Sequence, residues 1–303
     1  MRFSLGLTPY GRFPDLKSLQ QTVRLAESLG FEGVTISDHA LMSTAHSKDL
    51  GAVWYDPLVL GTAIALCTTK LRIVFNTLVL PYHHPIRLAK AISSLDLFSG
   101  GRVTVGVGVG WMREEFDALG VPYRERGSLT EKSIRVMRAL WTGKPFGPAS
   151  KGMVFEPRPV QVPHPPIWIG GGVRRTLERA AEFGDGWHPL GKDLATLEKD
   201  AGDLRLLLKR KGRSQDSFTL SYTLYDAGDA ARIGNHTRAI GGQEATVLEA
   251  DPEAAIGLLN RLTEIGFSHI VIRLRSDSQT ELNEAMIRFA ARIMLPMSRQ
   301  AGR

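Results

Sequence analysis

Apolar runs of strand length alternate with amphipathic segments of helical length along the chain. Leu16, Leu19 and Val23 recur at helical spacing near the start, and Leu282 and Met286 do so near the end. Eight short runs rich in apolar and β-branched residues are predicted strands: residues 3–8, 33–36, 71–79, 103–109, 167–170, 186–188, 218–224 and 269–274. Strands that alternate with helices are typical of a parallel sheet joined by crossover helices.

Glycine marks several joints between a predicted helix and the strand that follows it. In Leu29-Gly30-Phe31 and Ile265-Gly266-Phe267, glycine ends a helix, phenylalanine follows and an apolar strand begins. Gly184-Asp185-Gly186 is a looser copy. An eightfold barrel needs short joints of this kind at its lower rim. The pattern therefore predicts an α/β fold, a (β/α)8 TIM-like barrel, with residues 1–303 forming one domain.

Three predicted connections are much longer than these joints. They cover residues 38–56, 143–165 and 225–251, and the second is rich in proline, which stiffens an extended segment. Connections of this length are often lids or binding loops. We expect all three to be insertions over the mouth formed by the carboxyl ends of the strands.

The composition fits a folded protein with a large core. The 303 residues, 43% hydrophobic and 23% charged, suffice for one such barrel or for two smaller domains. The longest mainly apolar run, residues 58–67, is too short to span a bilayer and contains Gly61 and Thr62. The first residues lack the cationic start and apolar centre of a signal peptide. We expect a cytoplasmic protein with no membrane partner.

The basic balance of the chain does not by itself indicate a nucleic-acid partner. A net charge of +7 and a sequence pI near 9.6 permit such binding. The positive charge is scattered, however, and its densest cluster, residues 209–213, falls at the end of a predicted helix. A small anionic ligand explains the excess equally well, so we expect no nucleic-acid partner.

Residues that could bind a metal lack the required spacing. Cys67 is the only cysteine, which excludes an internal disulfide and a multi-cysteine site, and its helical setting predicts a buried, inert thiol. His83 and His84 are adjacent and precede a predicted helix, so they cannot both face one ion from a regular element. We therefore predict no metal site.

Asp38 and His39 directly follow the second predicted strand. This places both at the carboxyl end of that strand, where barrel enzymes hold catalytic groups. Histidine titrates near neutral pH and suits proton transfer, and the carboxylate could orient the ring or bind a polar edge of a cofactor. The plainer alternative is that Asp38 caps the next turn and His39 is an ordinary loop residue.

Glycine is frequent where the fourth predicted strand ends. Gly106, Gly108 and Gly110 resemble part of a dinucleotide-binding fingerprint, but that motif requires a glycine where this chain has Trp111. Two alternatives remain for this segment. It is either a bare backbone that admits a ligand beside a Trp111 wall, or a tight turn.

The fifth predicted strand also ends in glycine, and a polar motif ends the third. Gly170-Gly171-Gly172 leads into a helix that starts near Arg174 and Arg175, and backbone amides at a helix start form a natural phosphate site. A plain glycine-rich turn would not need the two arginines. Residues 76–81 end the third strand and could hold a backbone irregularity near a ligand.

Five stretches of the chain carry a family resemblance. They are residues 29–39, 76–85 (NTLVLPYHHP), 95–116, 165–171 and 184–187 (GDGW). With these motifs, the chain resembles the luciferase-like monooxygenase superfamily, and within it a group of probable F420-dependent oxidoreductases. The similarity is densest from Leu5 to Trp187.

The resemblance implies a TIM-like barrel that holds coenzyme F420 or FMN in its mouth and passes hydride between the cofactor ring and an organic substrate. It implies that Asp38 contacts the cofactor and that His39 donates or accepts a proton. It places a non-proline cis peptide, which supports the ring, in a bulge at Leu78-Val79. The implied cofactor-binding residues are Asp38, Asn76, Leu78, Val79, Gly108, Gly110, Trp111, Gly170, Gly171, Gly172 and Arg174. A homodimer is also expected from the family.

The sequence departs from the glucose 6-phosphate dehydrogenase branch of that superfamily. That branch has glutamate at the position of Trp111, and its tryptophan shortly after the histidine has no counterpart in residues 40–43. Sugar phosphate oxidation is therefore not expected. An apolar or aromatic substrate is favoured if the following residues form a lid and do not belong to the core: Leu41, Met42, Trp54, Tyr55 and Trp111.

The sequence thus predicts an F420-dependent oxidoreductase with a mostly hydrophobic substrate. The main alternative is an FMN-dependent two-component monooxygenase, which uses oxygen and a partner reductase. A flavin-binding protein that has lost catalysis is the other alternative, and the intact Asp38-His39 pair argues against it.

Overall fold

A computed structural model describes residues 1–227 and 246–301, and within these ranges eight parallel strands close into a barrel. The strands are β1 (Arg2–Gly6), β2 (Gly33–Ile36), β3 (Arg72–Val79), β4 (Val103–Gly108), β5 (Ile167–Gly170), β6 (Gly186–His188), β7 (Thr219–Asp226), β8 (Val247–Leu248) and β9 (Phe267–Arg273). Strands β1 to β6 pair in sequence order, β7 pairs with β6 and β9, and β9 returns to β1. The two-residue β8 lies outside this ring and pairs in parallel with the carboxyl end of β7.

Helices surround the barrel and connect its strands. They are α1 (Leu16–Ser28), α2 (Ser47–Leu50), α3 (Pro57–Cys67), α4 (Pro85–Ser99), α5 (Arg113–Ala118), α6 (Arg126–Trp141), α7 (Arg174–Phe183), α8 (Leu194–Arg210), α9 (Pro252–Ile265), α10 (Gln279–Phe289) and α11 (Leu295–Ala301). Aspartates fix several starting points: the side chains of Asp15, Asp193 and Asp251 each accept a backbone N–H from the first turn of a helix.

The predicted glycine joints at the lower rim are confirmed. Gly30 and Gly266 have φ angles of +86° and +108°, a backbone conformation that favours glycine at a helix end. Gly184 has a φ of −89°, which any residue can adopt, so glycine is needed there because a side chain would not fit. A Cβ atom there would lie 2.8 Å from Cγ1 of Ile169.

All eight predicted barrel strands are confirmed, with shifted ends. β1 spans residues 2–6 rather than 3–8, β7 runs two residues further than predicted, and β9 starts two residues earlier. The additional short strand β8 was not predicted. It is too short to produce a readable apolar pattern.

The long connections divide between the two ends of the barrel. Residues 38–56 follow β2 at the carboxyl end, as predicted. For residues 143–165 the prediction is wrong, because Gln161 in this segment bonds to Asp96 and to the carbonyl oxygen of Val103 at the start of β4. That segment therefore lies at the amino end. Much of the third connection, residues 228–245, lies outside the described residues.

The two faces of the strands differ in chemistry. One alternating set, including Leu5, Phe75 and Ile272, joins the hydrophobic core between barrel and helices. The other set contains polar residues and glycines, such as Ser4 and His269, whose side chains bond to one another at 2.8 Å. The barrel interior is therefore polar, whereas the outer face of the sheet carries the apolar core.

Two features outside the barrel follow the sequence predictions with small changes. Cys67 is half-buried rather than buried, and burial raises the pKa of its thiol, which disfavours the reactive thiolate. The basic cluster closes α8, where Lys211 pairs with Glu182 and Arg213 donates to the carbonyl of Gly184. None of the helices in the described ranges is long and apolar enough to cross a membrane.

Candidate active site

The carboxyl ends of β2, β3 and β4 bring the central polar residues together. β3 contains a non-proline cis peptide bond between Asn76 and Thr77, and its pairing with β4 shifts register between Phe75 and Leu78. The expected irregularity in this strand is thus confirmed. Its predicted position at Leu78-Val79 is wrong by two residues.

Glycines on neighbouring strands make room for this bulge. A Cβ atom at Gly106 would overlap the carbonyl oxygen of Phe75. Cβ atoms at Gly108 and Gly170 would each lie 2.6 Å from side-chain atoms of Thr77. These glycines therefore serve close packing of protein on protein, which the motif alone did not distinguish from access for a ligand.

Asp38 is held by strand β3 and by a histidine beyond it. One carboxylate oxygen, Oδ2, accepts a 2.9 Å bond from the backbone N–H of Val79 and lies 2.7 Å from Nε2 of His83. The second oxygen, Oδ1, has no hydrogen bond to any described residue. Burial alone would lower the pKa of His83, but the hydrogen bond and charge of Asp38 raise it above its usual value. Asp38 thus pairs with His83 and does not orient His39.

His39 has a different acidic partner, Glu115 on α5. Nδ1 of His39 lies 2.8 Å from Oε2 of Glu115. The same carboxylate accepts bonds from the backbone N–H groups of Ala40 and Leu41 and from the Tyr82 hydroxyl. With several donors around it, Glu115 accepts the Nδ1 proton of His39, so Nε2 carries the lone pair of the neutral ring.

Two tryptophan rings lie next to the His39 ring. The ring centroids of Trp54 and Trp111 lie 4.6 Å and 5.8 Å from the His39 ring, both edge-on. Nε2 of His39 has no hydrogen-bond partner among the described residues. The connection of residues 38–56 exposes two large apolar side chains, Leu41 at 56% and Tyr55 at 39%, while the ring of His46 lies 4.8 Å from that of Trp111.

The remaining predicted residues at the ends of β3 and β4 differ in burial and in what they contact. Asn76 is half-buried, with its side-chain amide 3.2 Å from Nε2 of His188. Leu78 is fully buried in the hydrophobic core, so its side chain is not available to a cofactor and only its backbone could contact one. Gly110 has a φ of +79° and packs against Val79 and Phe116, which favours the tight-turn interpretation of this segment.

The predicted phosphate site lies beside the same mouth. Gly170 contacts the bulge through Thr77, and the backbone N–H of Gly171 donates to the carbonyl of His188. Gly172 is covered by the side chain of Lys192. Arg174, 57% exposed, is paired with Asp203 at 3.1 Å. A ligand phosphate at this position would therefore have to compete with Asp203 for Arg174.

A chain of buried polar groups runs from Asn76 down the barrel. His188 contacts Thr223 and Ser221, each at 2.9 Å, and Ser221 contacts His269 at 2.8 Å. Burial lowers the pKa of His188 to about 4 and that of His269 well below its usual value, so both rings are neutral at pH 7. A neutral imidazole donates at one nitrogen and accepts at the other. The tautomer of each ring is therefore linked to the next through Ser221.

Three residues of this site were missed by the sequence interpretation. Glu115 lies within the recognised 95–116 motif, but its neighbour Glu114 is exposed, and nothing in the sequence distinguishes the two. His83 lies within the 76–85 motif, but the sequence indicates no role for it beyond a rejected metal ligand. His188 ends the sixth strand directly after the GDGW motif, and its position at a strand end was the available signal. No cluster of three or more potential metal ligands occurs in residues 1–227 and 246–301.

Comparison with known proteins matches the chain to one family and to proteins that depend on two different cofactors. A family model for luciferase-like monooxygenases matches residues 2–268. The FMNH2-dependent dimethylsulfone monooxygenase of Pseudomonas putida is 26% identical over 261 residues, covering 83% of this chain and 68% of that protein. The 5,10-methylenetetrahydromethanopterin reductase of Archaeoglobus fulgidus is 29% identical over 263 residues, covering 78% and 70%.

A solved structure confirms the likeness of the fold. The coenzyme F420-dependent tetrahydromethanopterin reductase from Methanopyrus kandleri superposes with a TM-score of 0.74 over 97% of this chain and 98% of that one. The two sequences are 19% identical, so this match shows a shared fold and nothing further.

Proposed function

Because the chain belongs to the luciferase-like monooxygenase family, we propose that it is an F420-dependent oxidoreductase that transfers hydride between the deazaflavin and a mostly hydrophobic organic substrate. The family includes oxidoreductases and monooxygenases that use F420 or FMN. The choice of F420 and the class of substrate are our proposals.

The pairing of His39 with Glu115 carries this proposal. When a hydride moves to or from carbon in an oxidation of an alcohol or a reduction of a carbonyl, a proton leaves or joins the substrate oxygen. Nε2 of His39 has no hydrogen-bond partner in residues 1–227 and 246–301 and can accept that proton, while Glu115 stabilises the resulting imidazolium from the Nδ1 side. In the reverse direction the imidazolium returns the proton.

The polar groups around the mouth fit a flat ring with hydrogen-bonding edges. Oδ1 of Asp38 has no partner among the described residues, and Asn76 and Thr77 are only half-buried where β3 bulges. We assign these three residues to the ring of the cofactor. When bound there, F420 supplies or takes up the hydride.

The apolar and aromatic side chains near His39 support a hydrophobic substrate. Trp54 and Trp111 lie against His39, and Leu41 and Tyr55 are exposed beside them. Aromatic and aliphatic walls around a few placed polar atoms are typical of small-molecule sites.

The alternative is an FMN-dependent monooxygenase supplied with reduced FMN by a partner reductase. The similarity to the Pseudomonas putida enzyme, which covers 83% of this chain, favours it. In that case His39 would handle protons during oxygen chemistry instead of hydride transfer.

Oxygen consumption distinguishes the two functions. Purified protein is mixed with chemically reduced FMN, with reduced F420 or with oxidised F420, each with a panel of hydrophobic ketones, alcohols and sulfur compounds. The proposal predicts F420 oxidation that depends on a carbonyl substrate and continues without oxygen. Substrate-dependent oxygen uptake with reduced FMN, and no F420 turnover, would establish the alternative.

A further inference from the structure

A second cavity lies at the amino end of the barrel, opposite the candidate active site. Its volume is about 340 Å³, and its walls include Arg2, Arg72, Thr104, Trp168 and Thr219, which stand at the starts of β1, β3, β4, β5 and β7. The segment before β5 closes one side with Gln161. From Arg72 to Asn76, four residues along β3, the strand rises roughly 13 Å. The two sites are therefore separate.

Arg72 presents unused donors to this cavity. Its Nε and Nη2 groups bond to Thr104, Gln161 and the carbonyl of Val103, whereas Nη1 has no partner among the described residues. Burial lowers the pKa of Arg72 and the nearby charge of Arg2 lowers it further, although Glu32 opposes this change. Arg2 lies 3.8 Å from a carboxylate oxygen of Glu32, so a bound anion would share Arg2 with that residue.

Trp168 contributes a further donor, carried on a mostly buried side chain. The residue is 7% exposed, and its indole N–H has no acceptor among the described residues. Buried tryptophans usually hydrogen-bond through this group. A glycine at position 186 lets the indole lie across the neighbouring strand, since a Cβ atom there would lie 2.8 Å from Nε1 of Trp168.

The only acidic residue that lines this cavity among the described residues is already engaged. Asp185 accepts a 2.9 Å bond from the backbone N–H of Ile167 and lies 3.8 Å from Arg213. The cavity therefore combines two arginines and an indole donor with hydroxyl groups from Thr104 and Thr219. Donors that converge from several strands suit an acceptor with more than two oxygens.

We propose that this cavity binds a small phosphorylated molecule, whose phosphate is held by Arg2, Arg72 and the indole N–H of Trp168. The volume exceeds that of a phosphate alone, and Pro163 and Pro166 offer an apolar wall for the organic part. This site differs from the glycine-rich segment near Arg174, which lies at the carboxyl end of β5.

The test uses inorganic phosphate as the probe, measured by calorimetry and by the indole N–H resonances of the full-length protein. The resonance of Trp168 is identified by its loss in Trp168→Phe, a change that removes the donor and keeps an aromatic ring. We expect saturable binding that shifts this resonance. Trp168→Phe and Arg2→Ala should each weaken binding about fivefold or more, the effect of losing one charged or buried hydrogen bond.

Arg174→Ala tests the alternative that the probe binds at the predicted phosphate site near the carboxyl end of β5. Arg210→Ala is the matched control, because it removes an exposed arginine at the end of α8, outside this cavity. It should leave phosphate binding unchanged. The proposal is overturned if phosphate binding does not saturate, if the Trp168 resonance does not move, or if Arg174→Ala weakens binding while Arg2→Ala does not. Since the cavity does not contact Asp38 or His39, these results are independent of the cofactor and of the proposed reaction.

Discussion

Two acid–histidine pairs organise the candidate site at the scale of single residues. Asp38 with His83 and His39 with Glu115 are each held within 2.8 Å. The pairs keep the two adjacent residues, Asp38 and His39, in different roles. One carboxylate oxygen of Asp38 and one ring nitrogen of His39 have no hydrogen-bond partner in the described part of the chain, and we propose that they serve a ligand and a proton respectively.

Replacing His39 tests its role in proton transfer. His39→Ala should lower turnover about 100-fold, the low end of the range for loss of a general acid or base. Cofactor affinity should stay within about twofold, because the ring bonds to Glu115 and not to the groups assigned to the cofactor. Steady-state kinetics and a cofactor titration give both quantities, and unchanged turnover would remove His39 from the mechanism.

Glu115→Gln separates charge from structure. The amide oxygen can still accept from Ala40 and Leu41, but the negative charge that stabilises a protonated His39 is lost. We expect turnover to fall while the free energy of unfolding changes little. Glu115→Ala is the comparison, since it leaves buried donors unsatisfied and should cost about 2 kcal/mol or more of stability. Equal turnover in Glu115→Gln and the wild type would contradict the pairing.

The buried His188 predicts a dependence of stability on pH. Its folded pKa of about 4 lies below the usual 6.5, so the unfolded chain binds a proton that the folded protein excludes. This contribution to stability is present above about pH 6.5 and is lost as the pH falls toward 4. At about 1.4 kcal/mol per pH unit, the full loss is about 3 kcal/mol.

His188→Asn removes this titration while it keeps a polar side chain. Urea unfolding of both proteins across that pH range is the measurement. The wild type should lose more stability than the variant on acidification, and His269 should contribute a similar dependence to both. Parallel curves for the two proteins would show that His188 is not held neutral by burial.

At residue scale the sequence located the two central residues but not their partners. Asp38 and His39 could be predicted because they directly follow an apolar strand. Glu115 is 76 residues from His39 and His83 is 45 residues from Asp38. Nothing local to either histidine or carboxylate specifies these contacts, which arise only when β2, β3 and β4 are placed side by side.

At the scale of elements, the glycines of β4 determine how β3 can bulge. Gly106→Ala places a Cβ atom on the carbonyl oxygen of Phe75 and should destabilise the protein by about 3 kcal/mol or more, since neither backbone can move freely. Gly202→Ala is the matched control in the middle of α8, where a Cβ atom meets nothing within 4 Å. It should stabilise the protein by about 0.5–1 kcal/mol.

Urea unfolding midpoints of these two variants measure the difference. If Gly106→Ala is tolerated as well as Gly202→Ala, then the close packing of β4 on the bulge is not required. In that event ligand access would become the better explanation for glycine at this position.

The strands themselves were predictable because their apolar faces meet the helices. Along the barrel strands, buried apolar residues recur at every second position, and this alternation predicts the strands. Leu5 in β1, Ile73 in β3 and Ile272 in β9 are examples. The position of residues 143–165 was not predictable in the same way. A connection that follows a helix and precedes a strand belongs to the amino end of a barrel, and its length alone suggested a lid.

At the scale of the whole molecule, a polar interior joins the two ends of the barrel. The chain from Asn76 through His188 and Ser221 reaches His269, whose ring lies 4.9 Å from that of Trp168 in the second cavity. Most barrel interiors of this type are filled with bulky apolar side chains. Here the interior is polar, and a cavity of about 340 Å³ opens at its amino end.

We propose that the mouth at the carboxyl end of the barrel binds F420 in preference to FMN. The most direct measurement is titration of the purified protein with each cofactor separately, following quenching of tryptophan emission, since Trp54 and Trp111 lie beside His39. We expect tight, saturable quenching by F420 and weak binding of FMN. Tight binding of FMN with none of F420, or binding of neither, would contradict this proposal.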